Sequence, residues 1–169
     1  MNRLNSLEDL YTDQLRDLYS AEVQLVEALA IMSEAATSAE LKASLMEHLD
    51  GTVDHLNRLE EIFKSYGESP RGKHCATIQG LVHECRELIH ADIGPDVLDA
   101  GIIALTQKAE HYEIAGYGTL RAYAILFGDE KSEEVFRATL DEEKEFDHKL
   151  TDIAIKSINK EAHEAVMAG

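Results

Sequence analysis

Apolar residues recur every three and four positions along most of this chain, and this periodicity constrains its fold more than any other feature. Such spacing is typical of amphipathic α-helices, because residues three and four apart share one face of a helix. β-Branched residues never alternate with polar residues for long, so no segment is predicted to be a strand. With 169 residues the chain is long enough for one core. We therefore expect a single all-α domain covering residues 1–169.

Four long stretches and one shorter stretch of this pattern are separated by residues that cap or interrupt helices. They are predicted to form helices over residues 6–36, 37–66, 74–90, 95–127 and 130–159. Thr37 and Glu40 have the spacing of a capping box at the start of the second helix. Pro95 suits the first turn of the third long helix, and Gly128 suits its end. Residues 160–169 are expected to fray.

The lengths of the predicted connections indicate how the helices are arranged. Short turns join the first long helix to the second and the third to the fourth, so each pair is expected to be antiparallel. The long connection between the two pairs carries the short helix. This order predicts a ferritin-like four-helix bundle with an additional short helix in the connection between the second and third long helices.

The net charge of the chain limits its partners. Asp and Glu number 33 against 16 Lys and Arg, which gives a formal net charge of −17. Without a basic excess, nucleic acid and anionic membranes are not expected as partners, whereas cations are. The sequence contains no run of 18 or more apolar residues, so no membrane-spanning helix is predicted. Its first residues lack the features of a secretory signal, and we expect a cytoplasmic protein.

Carboxylates interrupt the apolar faces of three long helices. When successive residues are placed about 100° apart around each helix, five acids fall within apolar stripes. These are Glu22 on the first helix, Glu110 and Glu113 on the third, and Glu143 and Asp147 on the fourth. All five lie near the middle of their helices, so in a bundle they would meet at one level. No Lys or Arg lies in the same stripes to pair with them.

This convergence predicts a metal site. A buried, unpaired carboxylate costs several kcal/mol, so such groups must be protonated, paired or bound to a cation. Carboxylate oxygens with imidazole and without thiolates suit iron or manganese better than structural zinc. Two divalent transition metal ions would offset four carboxylates. On the second helix His48, Thr52 and His55 lie among leucines, and we assign His48 as the ligand while His55 and Thr52 remain alternatives.

A simpler interpretation exists for each of these residues. A single Glu inside an apolar stripe, such as Glu22, is often an edge residue that reaches solvent, and a histidine among leucines is often a core residue. Three helices that break their stripes at one height are harder to explain in this way, and we therefore favour the metal site.

Several strings resemble one family of known proteins. These are residues 19–25 (YSAEVQL), 71–75 (RGKHC), 108–120 (KAEHYEIAGYGTL) and 140–144 (LDEEK). On these strings the chain resembles the YciE/YciF family of bacterial stress-induced ferritin-like proteins over nearly its whole length. The resemblance implies a homodimer of helical bundles with a rubrerythrin-like di-metal centre, expressed under stress, and no established reaction. It also implies that Glu22 and the Glu110-x-x-Glu113 pair are similar to rubrerythrin ligands.

The second helix departs from the ferritin-like pattern, which carries Glu-x-x-His on two helices. Gly51 stands where relatives often have Glu, so the ligand set is incomplete on this side.

Two hypotheses of different classes follow. The first is a di-iron or di-manganese carboxylate protein of the bacterial stress response with oxidase- or peroxidase-type redox activity, in which Glu113 and Glu143 bridge the ions. The alternative is a non-enzymatic structural or interaction protein with a vestigial or purely structural metal site. Iron storage in a hollow cage is disfavoured, because the resemblance implies a dimer.

Overall fold

The computed structural model describes residues 4–167, and within them the chain is helical with no strand. Its helices are α1 (Leu7–Ala35), α2 (Ala39–Tyr66), α3 (Ala76–Ile89), α4 (Pro95–Phe127), α5 (Glu130–Ile153) and, after a π-helical turn (Ala154–Ile158), α6 (Asn159–Met167). α1 packs along α2 and α4 packs along α5, while α2 against α5 and α1 against α4 complete the bundle. α3 lies in the long connection and contacts α1 and α4. The predicted four-helix bundle with an additional short helix is confirmed.

The hydrophobic core consists of two clusters, one toward each end of the bundle. In the first, Leu15 of α1 and Phe63 of α2 pack with Phe136 of α5. In the second, Leu29 of α1 and Leu45 of α2 pack with residues of α4, α5 and the π-helical turn. The boundary between the two clusters crosses each long helix close to its middle: between residues 25 and 28 of α1, 45 and 59 of α2, 105 and 109 of α4, and 140 and 146 of α5. The fold therefore brings the midpoints of four helices to one level.

The turn from α1 to α2 corrects one prediction. The N-cap of α2 is Ser38, whose Oγ accepts from the backbone N–H of Leu41 at 3.4 Å, and the predicted capping box from Thr37 is absent. Thr37 instead donates from its backbone N and its Oγ1 to the buried carboxylate of Asp99 on α4, at 2.8 and 2.7 Å. The Ser38 backbone N also donates to Asp99, at 2.7 Å. A partner 62 residues away in sequence thus decides the conformation of this turn.

The C-terminal region also differs from the prediction. A single helix was expected to Asn159, followed by a frayed tail, whereas α5 ends at Ile153 and α6 continues the helical chain to Met167. In the π-helical turn between them, Ala154 and Ile158 are buried in the second core cluster. α6 packs against α4, which accounts for its order. The last two residues of the predicted tail lie outside the described residues.

Candidate metal centre

A layer of buried polar side chains lies close to the boundary between the two hydrophobic clusters. We call it the polar layer, and its members come from four helices: Glu22 of α1, His48 and His55 of α2, Glu110 and Glu113 of α4, and Glu143 of α5. All six side chains are buried. The spacing of three residues on α4 and of seven on α2 places both members of each pair on one helix face.

Within the polar layer the potential ligand atoms fall into two groups. His48, Glu110, Glu113 and Glu143 form one group, here the His48 group, and each contributes an atom within 4.8 Å of the others. Glu22, His55 and Glu143 form the second, here the His55 group, by the same criterion. Glu143 belongs to both groups, which is the position expected of a bridging carboxylate. Glu113, the other predicted bridge, belongs to the His48 group alone.

The histidines face the carboxylates closely. His48 Nε2 lies 3.3 Å from Glu110 Oε1 and 3.6 Å from Glu143 Oε2. His55 Nδ1 lies 2.9 Å from Glu143 Oε1 and 3.6 Å from Glu22 Oε1. The close approach of His55 Nδ1 to Glu143 Oε1 is an ion pair when the imidazole is protonated. One nitrogen of each imidazole therefore points at carboxylate oxygens in the manner of ligands around a shared centre.

Six buried atoms of the polar layer have no hydrogen-bond partner. They are Glu22 Oε2, His55 Nδ1, Glu110 Oε2, Glu113 Oε2 and both carboxylate oxygens of Glu143. A buried polar atom without a partner costs roughly 1–3 kcal/mol, and more when it is charged. These atoms belong to oxygen and imidazole donors, which iron and manganese accept. Cys75 and Cys85 are free and lie outside both groups. The residues present therefore fit a pair of divalent transition metal ions.

Burial and mutual repulsion perturb the carboxylates. Burial first, and then the charges of neighbouring acids, raise the pKa of Glu110 and Glu113 well above the ordinary value of 4.5. Burial likewise raises the pKa of Glu22, although His55 partly opposes this. Burial alone would raise the pKa of Glu143 too, but its close contacts with His55 and Glu110 outweigh burial and leave that pKa lowered. In the absence of metal the layer therefore retains protons that a cation would displace.

The two histidines are perturbed in opposite directions. Burial lowers the pKa of His48 to about 4, so its imidazole is neutral at pH 7 and able to bind a metal. Burial also acts to lower the pKa of His55, but its contacts with Glu143 and Glu22 prevail and raise that pKa to about 10. Without metal, a positive charge on His55 thus compensates part of the negative charge of the His55 group.

Neighbouring side chains hold the histidines in place. His55 Nε2 donates to Glu142 Oε2 at 2.8 Å, which leaves Nδ1 to face the polar layer. Arg58 holds that carboxylate with two hydrogen bonds, of 2.7 and 3.0 Å. His48 stacks on Phe146, with ring centroids 3.7 Å apart and planes 8° from parallel. A carboxylate on the distal nitrogen of a ligand histidine fixes its tautomer and orientation.

A tyrosine supports the first-helix acid. Tyr117 is buried, and its hydroxyl donates to Glu22 Oε1, so only Oε2 of that carboxylate lacks a partner.

Five of the six predicted ligands are brought together in the polar layer, and Asp147 is not. Its side chain is 21% exposed; Oδ1 accepts from Gln107 Nε2 at 3.0 Å and Oδ2 lies 3.6 Å from the exposed His111. Phe146, one position earlier, faces His48 instead. Asp147 therefore lies at the edge of the bundle, outside both groups.

The sequence left the second-helix ligand open, and the structure brings both histidines to the layer. His55 follows His48 by two helical turns, a spacing that places the two on one face. Thr52 is buried, but its hydroxyl donates to the backbone carbonyl of His48 at 3.0 Å. Glu142 was missed, because an exposed acid next to Glu143 gives no periodic signal.

Comparison with known proteins places this arrangement in a family. Residues 6–163 match the family described as Domain of unknown function (DUF892). The chain belongs to the DUF892 family. The match includes every helix that contributes to the polar layer.

Relatives of similar sequence agree with this assignment. The chain is 38% identical to Protein YciF of Escherichia coli (strain K12) over 160 residues, which is 94% of this chain and 96% of YciF. The crystal structure of the E. coli stress protein YciF superposes with a TM-score of 0.88 at 38% identity and covers 93% of this chain and 99% of that one. YcfI from Rhodopseudomonas palustris superposes with a TM-score of 0.85 at 40% identity, covering 89% and 96%. The resemblance to the YciE/YciF family inferred from the sequence strings is confirmed.

A more distant structure shares the fold alone. A protein of Xanthomonas campestris pv. campestris has a TM-score of 0.77 at 18% identity, covering 94% of this chain and 97% of that one.

Across residues 4–167, no helix has the length and apolar character needed to cross a membrane.

Proposed function

We propose that this chain, as one ferritin-like domain, binds two divalent transition metal ions in its polar layer and acts in the bacterial stress response. Iron is the first choice and manganese the second. One observation carries the proposal: four helices contribute, at one level, six buried oxygen and nitrogen atoms that could be metal ligands and that have no hydrogen-bond partner. Similarity to a protein described as a stress protein supports the cellular role.

The residues of the two groups take different parts in this proposal. His48 would hold one ion together with Glu110 and Glu113, and His55 would hold the other together with Glu22. Glu143, which belongs to both groups, would contact both ions. Asp147, also predicted as a ligand, is not part of this set.

Bound iron or manganese would supply electrons for oxidase- or peroxidase-type chemistry. The protein would hold the donors in a layer enclosed by two hydrophobic clusters, which exclude water on both sides. In that setting charged ligands interact more strongly with a cation than they would in water.

Metal analysis tests the binding. Protein purified without chelators is expected to carry close to two equivalents of transition metal, identified by anomalous scattering at the iron and manganese edges. Glu143→Gln, which alters the shared ligand, is expected to lose most of this metal. Glu134→Gln changes an exposed acid on the same helix and should retain it. A parent protein with less than about one equivalent, in a site with ligands for two, would contradict the proposal.

A non-enzymatic structural role is the second candidate. It is supported by the similarity to R. palustris YcfI, which is described as a candidate structural protein. It is also supported by the second helix, where Gly51 and Thr52 supply no ligand to either group. Oxygen consumption after addition of ferrous iron separates the two candidates. If the parent and Glu143→Gln consume oxygen at the same rate, the metal is structural.

We further propose that the protein is a cytoplasmic homodimer, as the resemblance to the family implies. Light scattering coupled to size-exclusion chromatography tests this, since an 18.8 kDa chain would elute with twice that mass.

A further inference from the structure

A cleft between α2 and α5 leads to the polar layer. It encloses a cavity of about 270 Å³, and its lining includes His48 and His55, one histidine from each ligand group. Three further cavities, on other parts of the surface, are lined by no residue of the polar layer. α2 and α5 make few direct contacts compared with the pairs α1–α2 and α4–α5; the same holds for α1 and α4, but there α3 packs on both helices. The bundle is therefore loosely closed on the side where this cleft lies.

The exposed fractions of the residues in the polar layer also indicate that the layer is accessible from the cleft between α2 and α5. Five of the six residues in the polar layer are at most 1% exposed, whereas His48 is 9% exposed. His48 lines the cleft, as does Phe146, on which it stacks. Solvent thus reaches the ligand set at His48.

Gly51 borders this cleft. It lies on α2 between the two histidines and lines the cavity. A glycine inside a helix is less favourable than alanine by about 1 kcal/mol. Its backbone does not have the positive φ that favours glycine, and an added Cβ would meet no atom within 4 Å. Neither backbone conformation nor close packing therefore requires glycine here. What glycine provides is open space above the histidines.

Carboxylates line the mouth of the cleft, those of Glu47, Glu142 and Glu145. Lys149 pairs with Glu47, and Arg58 and His55 hold Glu142, so among the described residues Glu145 is the one of the three without an ion pair and can face an incoming cation. Lys149 Nζ lies 2.6 Å from Glu47 Oε2 and so joins α5 to α2 across the mouth. The side chains are 43% and 75% exposed, and an ion pair in contact with solvent is weak.

We propose that divalent cations enter and leave the polar layer through this cleft, and that the missing side chain at Gly51 sets the rate. This inference rests on the proposed function, and it adds the route and the residue that controls it. The cation passes the carboxylates of the mouth, then Gly51, and reaches His48 first. A larger side chain at position 51 narrows the route without replacing a ligand.

The test measures the rates of metal binding and release in metal-free full-length protein, with Co²⁺ as the only added cation. Loading is followed by the visible absorption of bound Co²⁺, and release is followed after addition of excess EDTA. Gly51→Leu is compared with the parent and with Gly51→Ala, which raises helix propensity but leaves most of the cleft open. Gly118→Leu is a matched control, because Gly118 is also inside a helix with nothing within 4 Å of an added Cβ and does not line the cleft.

Gly51→Leu is expected to slow loading and release by the same factor, at least about tenfold, which corresponds to about 1.4 kcal/mol of added barrier. The equilibrium dissociation constant should be unchanged, because both rates fall together. Gly51→Ala and Gly118→Leu should bind and release Co²⁺ at nearly the parent rates. Circular dichroism and thermal denaturation check that each variant folds, and Gly51→Met replaces Gly51→Leu if the latter does not.

The possible failures differ. Parent rates in Gly51→Leu would overturn the proposed route while leaving the metal site intact. A changed dissociation constant with unchanged loading would also overturn it, because the side chain would then act on the bound state. A parent protein that binds no Co²⁺ would overturn the proposed function and, with it, this inference.

Discussion

Replacing Glu113 by Gln should change stability in opposite directions with and without metal. Burial and the charges of Glu22, Glu143 and Glu110 raise the pKa of Glu113 well above 4.5. A carboxyl group whose pKa is higher in the folded than in the unfolded state stabilises the fold only at low pH. That contribution to stability is lost as the pH rises from the pKa of the unfolded state through the pKa of the folded state. At pH 7 and without metal, Glu113 therefore destabilises the fold, and Gln removes this cost.

The size of the effect follows from the same linkage. Each unit of pKa shift corresponds to about 1.4 kcal/mol. At pH 7 the cost cannot exceed that of protonating a carboxyl group of ordinary pKa 4.5, which is about 3.4 kcal/mol. We expect metal-free Glu113→Gln to be more stable than the parent, by at most about 3.4 kcal/mol. In a domain of this size each kcal/mol of that gain raises Tm by roughly 2–4 °C.

When metal is bound, Glu113→Gln is expected to lower the stability of the fold instead of raising it. A ligand at one hundred times its dissociation constant stabilises the fold by about 2.7 kcal/mol, and each tenfold loss of affinity removes about 1.4 kcal/mol of this. The amide of Glu113→Gln offers a weaker, neutral oxygen to the His48 group, so the rise in Tm on adding metal should shrink.

Thermal denaturation at pH 7, with EDTA and with saturating Mn²⁺, measures both effects in one experiment. Glu134→Gln is the control and should match the parent in both conditions, because Glu134 is exposed. The reasoning is refuted if Glu113→Gln lowers Tm in EDTA while gaining as much from Mn²⁺ as the parent does. Glu113 would then be an ordinary core residue.

Three further predictions concern residues around the site and at two turns. Glu142→Gln removes the carboxylate that holds His55 and should weaken one of the two metal equivalents by about 10–100-fold, measured by calorimetric titration. Asp99→Ala leaves the turn before α2 without its buried acceptor and should cost about 3 kcal/mol or more in urea denaturation; a loss below about 1 kcal/mol would contradict its role. Burial acts to raise the pKa of Asp129, but hydrogen bonds, chiefly from Tyr66, outweigh it and leave that pKa below 3.8. The Asp129 carboxylate therefore stabilises the fold at neutral pH, and this stabilisation is lost as the pH falls through the pKa of the folded state. The difference in stability between the parent and Asp129→Asn should therefore shrink between pH 7 and pH 3. A difference that stays constant over this range would show that ionisation of Asp129 is not its cause.

Local helix geometry explains how much of the site could be predicted. The angle between residues of one helix is set by its backbone, so the spacing of Glu110 and Glu113 was enough to place both on one inner face. The cost of burying a carboxylate then indicated a cation. Helix geometry alone does not decide which of two neighbouring residues at the edge of an apolar stripe points into the bundle. Asp147 was therefore assigned inward, whereas Phe146 is the residue that faces His48.

The predictions that failed at turns depended on distant partners. The start of α2 is decided by Asp99 on α4, and the order of the C-terminal helix depends on its packing against the same α4. Patterns of neighbouring residues carry no information about such contacts.

The sequence by itself determined that this chain forms an antiparallel bundle with acids on its inner faces, because helix periodicity and the cost of burying charge act locally. Only the tertiary structure decided that the donors form two groups joined by Glu143, that Glu142 holds His55, and that a cleft beside Gly51 opens onto them. These features depend on how each helix is rotated against its neighbours, and that rotation is fixed by contacts between residues as far apart as Glu22 and Tyr117, 95 positions along the chain.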